Sequence, residues 1–438
     1  MRNKVPVLVL LWLLFLNINS GLAEELGTIF KNIYGPKGLV VDSEAVLNPG
    51  DQEHFAHFNS SFQSSFNLFN IAMASQLTAV PLPSPASGFT YVFRPETGAF
   101  ARSTQSFGPI LADRAETLGR RRFSLSFNYQ RFSFDSIEGV DLKSVPAVFT
   151  HDDRQLGGGR LDVVTTDNSI KATVGQFTAF FNYGITDRLD VSVAVPTVKT
   201  TLSLTSNATI QRLGTTDPKV HFFRDASGGI GNFRSFTSSG SKTGIGDLIF
   251  RTKGNVLRRE HTGVALGVDF RAPTGDEKNL LGSGAPGVKP FAVLSYSYKR
   301  IAPHVNVGYQ WNGKSILAGD VATQTKADLP DQVLYTAGLD VGVVPRLTVA
   351  FDVLGQRVID SPELVRVNQS FSRLVGPAAT FPNIQFNQKR SFNIINGAIG
   401  LKVNPAPHLL IGVNALFKMN DSGLRDKVTP LVGIEYSF

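Results

Sequence analysis

Polar and charged side chains recur at every second position in several stretches of this chain, with apolar residues between them. Alternation of this kind places them together on one face of β-strands. On the inner face of a barrel, charges of both signs could bias the field across a pore, or they could pair and close it. The eleven lumen-lining candidates are Asp190, Arg251, Lys253, Asp269, Arg271, His304, Asn306, Gln310, Asp340, Asp352 and Glu435.

Motifs for catalysis or metal binding are weak. GSGAPG at 282–287 matches the glycine pattern of dinucleotide sites, but such a site needs a strand before it and a helix after it, and a loop is expected here. Asp276 and Glu277 could bind a divalent cation, although a solvated loop is the better interpretation. His54 and His57 have no further ligand at useful spacing. With neither G-x-S-x-G nor H-E-x-x-H present, we predict no enzyme, no catalytic residue, no metal and no cofactor.

Strands are the elements that would position the eleven candidates. From about residue 122 onward, runs of alternating apolar and polar residues end in turns, which is typical of strands with one face in an apolar medium. The apolar faces run through 123–129, 177–183, 189–195, 248–256, 264–270, 292–298, 305–311, 333–341, 347–353, 395–403, 409–417 and 432–438. We therefore predict an all-β fold, a transmembrane antiparallel up-and-down β-barrel of about 12 strands, with 14 strands as the open alternative.

Short and long connections alternate between these strands. Tight turns are expected at 184–189, 258–263, 299–304, 343–347 and 404–408. Long loops are expected near 135–169, 200–246, 272–287, 312–331 and 359–391, with a shorter one at 420–427. Membrane barrels have tight periplasmic turns and long external loops. A soluble β-sandwich has no reason to place its long loops at one end, so the barrel is favoured.

The last strand, LVGIEYSF, finishes on an aromatic residue. Val432, Ile434, Tyr436 and Phe438 share its apolar face, and Glu435 lies on the other. A strand left unpaired at a sheet edge is a liability. We therefore predict that it pairs antiparallel with the first strand and closes the barrel, with Phe438 at the periplasmic rim.

Residues 1–23 have the form of a secretory signal peptide. The positive start MRNK precedes the apolar run Val5–Leu16, and Gly21-Leu22-Ala23 offers a cleavage site between small residues. No later stretch approaches the length of a membrane-spanning helix. We predict export through a cleaved signal peptide to the outer membrane of a Gram-negative-type bacterium.

Residues 24–121 differ from the barrel region, 122–438. Apolar residues at helical spacing predict a helix over 62–80, a short hairpin is expected over 88–103, and a short helix capped by Gly119 over 106–119. This small mixed segment could plug the lumen or form a periplasmic cap, and the two alternatives are equally supported.

Composition excludes several classes of function. The chain has no cysteine, so no disulfide, thiolate metal site, cysteine nucleophile or lipoprotein anchor is available. The formal charge is +8, but the basic residues are scattered and do not alternate with aromatic ones. We therefore predict no nucleic-acid partner.

Two resemblances narrow the interpretation. The alternating aromatic terminus formed by Val432, Ile434, Tyr436 and Phe438 resembles the assembly signal of bacterial outer-membrane proteins, which implies outer-membrane lipid and the barrel-assembly machinery as partners. The segments 88–119, 181–196 (FNYGITDRLDVSVAVP), 243–253 (TGIGDLIFRTK) and 270–290 resemble an outer-membrane barrel family labelled for the MetA pathway of phenol degradation. That resemblance implies a transporter-like outer-membrane barrel. The architecture is more distantly similar to FadL-type channels, which have fourteen strands and an N-terminal hatch not matched here.

Two functions follow as alternatives. The first is an outer-membrane channel for passive uptake or efflux of small, hydrophobic or aromatic molecules. The second is a non-conducting binding or structural barrel that acts through its long external loops. An outer-membrane hydrolase is the least favoured hypothesis. The solute and the oligomeric state are not specified by the sequence.

Overall fold

The computed structural model describes residues 24–35, 38–43, 58–60, 67–79, 91–94, 99–102, 106–109, 111–151 and 161–438. The predicted signal peptide, His54 and His57 lie outside these ranges.

Twelve antiparallel strands form one closed barrel, which confirms the predicted fold class. Each strand hydrogen-bonds to the next strand along the chain. The strands are β1 (Phe123–Phe134), β2 (Val163–Thr186), β3 (Leu189–Gln211), β4 (Leu248–Arg258), β5 (Thr262–Ala272), β6 (Gly287–Tyr296), β7 (Ile301–Asn312), β8 (Gln332–Val344), β9 (Leu347–Phe371), β10 (Ala379–Ala406), β11 (Leu409–Lys418) and β12 (Val428–Ser437). Tight turns join β2 to β3, β4 to β5, β6 to β7, β8 to β9 and β10 to β11, and we call this end of the barrel the turn rim and the opposite end the loop end.

The barrel closes where β12 meets β1. The two strands pair antiparallel from Leu431 opposite Gln130 to Ser437 opposite Ser124, as predicted. At the turn rim the backbone N–H of Phe438 donates to the carbonyl of Phe123 at 2.8 Å. The strand that looked like a free edge is therefore fully paired, as the backbone of a membrane-spanning sheet has to be.

Smaller elements occupy the rest of the described chain. The helices are α1 (Ile29–Asn32) and α2 (Asn67–Ala79), with 3-10 turns at Leu26–Thr28 and Glu277–Asn279. The short strands are Phe58–Asn59, Tyr91–Arg94, Ala99–Arg102, Ser136–Ile137, Val140–Asp141, Val145–His151, Phe223–Arg224, Ile230–Gly231, Phe233–Ile245, Lys314–Asp320, Thr325–Asp328 and Leu424–Arg425. Within the described residues, the helix expected over 62–80 and the hairpin expected over 88–103 are confirmed. No helix in the described part of the chain is long and apolar enough to cross a membrane.

Several wall strands are much longer than the sequence predicted. β2 begins at Val163, β3 continues to Gln211, and β9 and β10 form a hairpin that reaches Phe371 and Ala379. Phe233–Ile245 also pairs with β3. The loops expected at 135–169, 200–246 and 359–391 are therefore wrong in large part. Alternation continues through these stretches, but with the apolar and polar faces exchanged.

β3 shows this exchange along a single strand. Its even-numbered residues are buried from end to end. Near the turn rim the buried side is polar, with Asp190 inside and Val193 outside; towards the loop end the buried side is apolar, with Leu202 inside and Lys199 and Ser203 outside. Because a strand keeps its two faces, the exchange marks the height at which lipid gives way to water outside the barrel.

β1 repeats the pattern. Ser126 is buried and Tyr129 is exposed near the turn rim, whereas Phe132 and Phe134 are buried and Arg131 is exposed above them. The apolar interior of the loop end is filled by the N-terminal part of the chain: Leu26, Ile29, Phe30, Phe69 and Met73 belong to the same buried cluster as Phe132, Val198 and Leu202. The loop end is thus closed by the main hydrophobic core of the described chain.

The outside of the barrel below this height is apolar. Val305, Val307, Trp311, Phe351 and Val413 project outward and are 48–56% exposed. A contiguous exposed apolar band bordered by aromatic residues is typical of a transmembrane barrel.

The exchange on β3 predicts two different responses to an outward lysine. Val193→Lys puts a charge into the apolar band and should lower the free energy of unfolding by ~2–4 kcal/mol. Ser203→Lys lies above the band, where Lys199 already faces outward, and should change it by less than about 0.5 kcal/mol. Urea unfolding in lipid vesicles measures both, and equal effects at the two positions would contradict the proposed boundary.

Candidate functional site

Residues 106–109 and 111–119, here called the strap, run along the inside of the barrel wall near the turn rim. None of these residues is helical, so the helix predicted over 106–119 is wrong. Gly119 does take the left-handed conformation (φ 95°) that the predicted cap required. The backbone of the strap bonds to side chains of the wall instead of to itself, which explains the error.

Wall side chains accept the backbone N–H groups of the strap. Phe107 donates to Oγ1 of Thr348 at 2.8 Å, and Leu111 to a carboxylate oxygen of Asp352 at 3.1 Å. Ala115 and Leu118 donate to Ser295 and Asp190, at 2.8 Å and 2.9 Å. The acceptors lie on three different strands, β3, β6 and β9, so the strap is fixed across the lumen and not along one strand.

Wall cations and amides donate to the carbonyls of the strap. Nζ of Lys402 donates to the carbonyl of Pro109, and Nζ of Lys253 donates to that of Arg114 at 2.9 Å. Nδ2 of Asn255 donates to the carbonyl of Ala115 at 2.7 Å. A buried extended segment needs such partners for both kinds of backbone group.

One ion-pair cluster forms around Asp113 of the strap. Arg251 contacts Asp113 at 2.5 Å and Asp269 at 2.6 Å, and Lys253 lies 3.5 Å from Asp113. Lys289 contacts Asp269 at 2.8 Å. Asp190 lies opposite Lys253 on β3, so three cations face three carboxylates, and Asp113 supplies one of the three negative charges.

A second cluster forms around Arg114. This fully buried side chain pairs with Asp340, which also accepts a hydrogen bond from Ser106. His304 bridges two carboxylates, with Nε2 2.7 Å from Asp352 and Nδ1 3.4 Å from Asp340. Arg114 and the backbone of Leu111 therefore lock the strap to β8 and β9.

The structure buries ten of the eleven lumen-lining candidates and leaves Asn306 partly buried. Seven of the eleven contact the strap or a partner that does: Asp190, Arg251, Lys253, Asp269, His304, Asp340 and Asp352. Asn306 lies within hydrogen-bond reach of the Asp113 backbone. Their role as lining of a passage stays a prediction.

The remaining three candidates have other neighbours. Arg271 donates to the carbonyl of Ala285 at 3.2 Å and to Asn312 at 2.6 Å, so it holds the 273–286 loop. Gln310 donates to Asn312, and Glu435 accepts from Ser124 at 3.2 Å beside the closing seam. Among the described residues, Arg271 and Gln310 make no hydrogen bond or ion pair with the strap. Glu435 interacts electrostatically with Lys402, which donates to the strap carbonyl of Pro109.

Several contributors were missed from the sequence. Lys289 and Lys402 sit at inward positions of strands whose alternation was recognised, so their periodicity was a usable signal. Asp113 and Arg114 were assigned to a helix, and no periodic pattern marks them. The proposed assembly residues Val432, Ile434, Tyr436 and Phe438 are all exposed on the outer face, at 41–63%.

The loop motifs serve local structure. In the GSGAPG stretch, Asp247 accepts from both the backbone and the hydroxyl of Ser283, and a backbone φ of 68° at Gly284 forms the turn. Glu277 accepts from the hydroxyl of Ser315 at 3.2 Å, which ties the same loop to a neighbouring strand. The interpretation as a loop, and not as a nucleotide or cation site, fits this geometry.

A cavity of about 120 Å³ lies inside the barrel between the strap and the C-terminal end of α2. Its apolar side is formed by Leu111, Phe291, Leu334, Leu354, Ile394 and Leu416. Its polar side includes Asp113, Arg251, Lys289 and Asn306, next to Gln76 and Thr78 of α2. The arrangement offers an apolar pocket with a charged wall in the middle of the lumen.

Residues 150–352 match the family described as "Putative MetA-pathway of phenol degradation". The predicted family resemblance is confirmed. The matched region contains ten of the eleven lumen-lining candidates, all except Glu435. No curated protein matches the sequence.

Solved structures with a similar fold include three from pseudomonads. An outer membrane channel from Pseudomonas putida F1 is 14% identical, with coverage of 74% of this chain and 98% of that chain and a TM-score of 0.41. A FadL homologue of Pseudomonas aeruginosa is 10% identical, with coverage of 82% of this chain and 97% of that chain and a TM-score of 0.32. The toluene transporter TodX of P. putida is 11% identical, with coverage of 73% of this chain and 89% of that chain and a TM-score of 0.31.

The buried Arg114–Asp340 pair predicts a large, non-additive effect on stability. Arg114→Met removes the cation that pairs with the buried Asp340, which keeps only His304 at 3.4 Å and the hydroxyl of Ser106, and should lower the free energy of unfolding by ~3–5 kcal/mol. Arg114→Met with Asp340→Asn should lose less than the single variant, because the stranded charge is gone. Urea unfolding measures both, with exposed Lys171→Met as the control expected within about 0.5 kcal/mol. A double variant that loses more than Arg114→Met alone would contradict the pairing.

Glu138, in a loop outside the membrane-spanning strands, predicts a pH effect. Burial raises its pKa to about 7, and it accepts from the backbone of Gly423. The folded protein therefore holds this proton more tightly than the unfolded chain, so the stabilisation is complete below the usual pKa of 4.5 and is lost as pH rises to about 7. Glu138→Gln should remove this contribution. The thermal midpoint, read from heat-modified gel mobility, should fall more between pH 5 and pH 8 in the wild type than in Glu138→Gln. The same pH dependence in both proteins would contradict this role of Glu138.

Proposed function

We propose that this protein is an outer-membrane channel for passive passage of small hydrophobic or aromatic molecules, closed in the described state by its N-terminal segment. The observation that carries the proposal is the mid-lumen cavity, which α2 bounds on one side and the strap on the other. Both boundaries belong to the segment before β1, so one part of the chain blocks the path at two heights.

The way in which the strap is held supports movement. Its apolar contacts with the wall are small, such as Phe107 with Leu410 and Ala115 with Ala265. Its other contacts are hydrogen bonds and ion pairs to polar wall residues, such as Asp190, Lys253 and Asp352. Buried ion pairs are a poor source of net stability compared with apolar packing of similar volume. A barrel that needed only a rigid filling would be better served by apolar contacts near the turn rim. Polar contacts can be exchanged for water or solute one at a time.

Location and partners form part of the same proposal. The apolar outer band fits outer-membrane lipid, and export would proceed through the signal peptide predicted at 1–23. The barrel-assembly machinery would recognise the terminal strand through Val432, Ile434, Tyr436 and Phe438. The description of the matching family names phenol degradation, which is compatible with an aromatic solute. We assign no catalytic role, since His304 and the acidic residues around it engage the strap.

The alternative is a non-conducting barrel that binds partners through its external loops. The hydrophobic core at the loop end, which joins Leu26 and Phe69 to the wall residue Leu202, favours this alternative because it is packed as a permanent structure would be. The two functions differ in whether the strap has to move for solute to pass.

A reversible lock tests the channel. An ideal Cβ on Gly263 would lie 3.0 Å from Cβ of Ala115, close to the ~3.5–4.5 Å of a disulfide, and the chain has no other cysteine. In liposomes, Ala115→Cys with Gly263→Cys should pass small aromatic solutes when reduced and should stop passing them when oxidised. Solute flux is measured by liposome swelling.

Ala115→Cys alone is the matched control, and oxidation should leave its flux unchanged. Flux that persists in the oxidised double variant would show that the strap does not close the path. A wild type that passes no solute, together with a reduced double variant that also passes none, would favour the non-conducting barrel.

A further inference from the structure

The cavity and the strap share two residues. Leu111 and Asp113 belong to the strap and also line the cavity. Two residues apart in a non-helical segment, they present an apolar group and a carboxylate towards the same space. Asp113 lies on Arg251 at 2.5 Å, and Leu111 lies beside the apolar lining formed by residues such as Leu354.

The charges around Asp113 define what could replace it. With Asp113 in place, Arg251, Lys253 and Lys289 face Asp113 and Asp269. If the strap withdrew, those three cations would keep only Asp269 and Asp190, which lies opposite Lys253 on β3. Buried charges without partners are strongly unfavourable, so withdrawal of the strap calls for another anion at the position of the Asp113 carboxylate.

The volume of the cavity and its apolar side define the apolar part of the ligand. A cavity of ~150 Å³ lined by Leu, Ile and Phe is known to hold benzene, and this one is about 120 Å³ before the strap moves. Its apolar side includes Phe291, whose ring lies 4.9 Å from the guanidinium carbon of Arg251. The cavity therefore places a cation next to an apolar surface of about one ring.

We propose that the cavity binds small organic acids that carry one aromatic ring or a short apolar chain, and that Leu111 and Asp113 occupy their site in the closed state as an internal substitute. The inference rests on the proposed channel function and names its substrate class. An acid that takes the place of Asp113 on Arg251, with Lys289 lining the same cavity, would release the strap at this point. Ligand binding and opening would be coupled, because each needs Asp113 to leave.

Benzoate and its neutral analogue benzyl alcohol are the probes, and binding to the full chain in detergent is measured by equilibrium dialysis. Asp113→Asn removes the competing charge and should strengthen benzoate binding about tenfold or more, which corresponds to about 1.4 kcal/mol. Binding of benzyl alcohol should change by less than about twofold. Lys289→Gln should weaken benzoate binding and leave benzyl alcohol unaffected, since it removes a cation and no apolar surface.

Thr348→Ala is the matched control. Thr348 also holds the strap, through the backbone of Phe107, but it carries no charge and does not line the cavity. It loosens the strap without removing an anion, so it should change the binding of benzoate and of benzyl alcohol alike if Asp113 acts by competition. A preference for benzoate in both variants, equal strengthening for both probes in Asp113→Asn, or weaker benzoate binding in Asp113→Asn would overturn the proposal. Leu111→Ala provides a second test if Asp113→Asn does not fold, because removal of the apolar substitute should also strengthen benzoate binding.

The test of the acid site and the test of the channel can fail independently. Binding in detergent requires no flux, so a protein that shows the Asp113 effect but passes no solute would refute the channel and keep the acid site. A protein that passes solute with no Asp113 effect would keep the channel and refute the acid site.

Discussion

The pairing of backbone polar groups inside a membrane governs this structure at two levels. In the wall, each of the twelve strands hydrogen-bonds to two neighbours, because the pairing of β12 with β1 closes the sheet and leaves no edge strand. In the lumen, the strap has no strand neighbour and obtains partners from side chains instead, such as Thr348 for an N–H and Asn255 for a carbonyl. The polar inward positions of the wall are explained by that demand as much as by contact with solute.

This constraint also orders the interior by height. Near the turn rim the inner face is polar and holds the strap, and towards the loop end it is apolar and packs on α1 and α2. The two halves close the barrel by different physical means, one by hydrogen bonds and ion pairs, the other by hydrophobic burial. The cavity lies between them, where neither means of closure is complete. A gate is more readily built from the polar half, because its hydrogen bonds and ion pairs can be replaced by bonds to water or to solute.

The sequence predicted the wall well because period-two alternation and turn residues are local signals. Strand count, the tight turns, the β12–β1 pairing and the inward position of residues such as Asp340 all follow from them. Strand length was underestimated, because on β3 the apolar face changes sides near Lys199 and the change resembles an end of the pattern. The strap was mistaken for a helix because its conformation is set by distant residues such as Asp190 and Lys253, and local spacing carries no information about them.

If the strap gates the barrel, it is held by the wall at rest and leaves its wall partners when solute enters. Hydrogen exchange of the intact protein in lipid nanodiscs, followed by mass spectrometry of peptides from the strap, measures this. The amides of Phe107, Leu111, Ala115 and Leu118 should exchange slowly at rest, as the wall strands do, and faster when benzoate is added. Rapid exchange at rest, or protection that benzoate leaves unchanged, would contradict it.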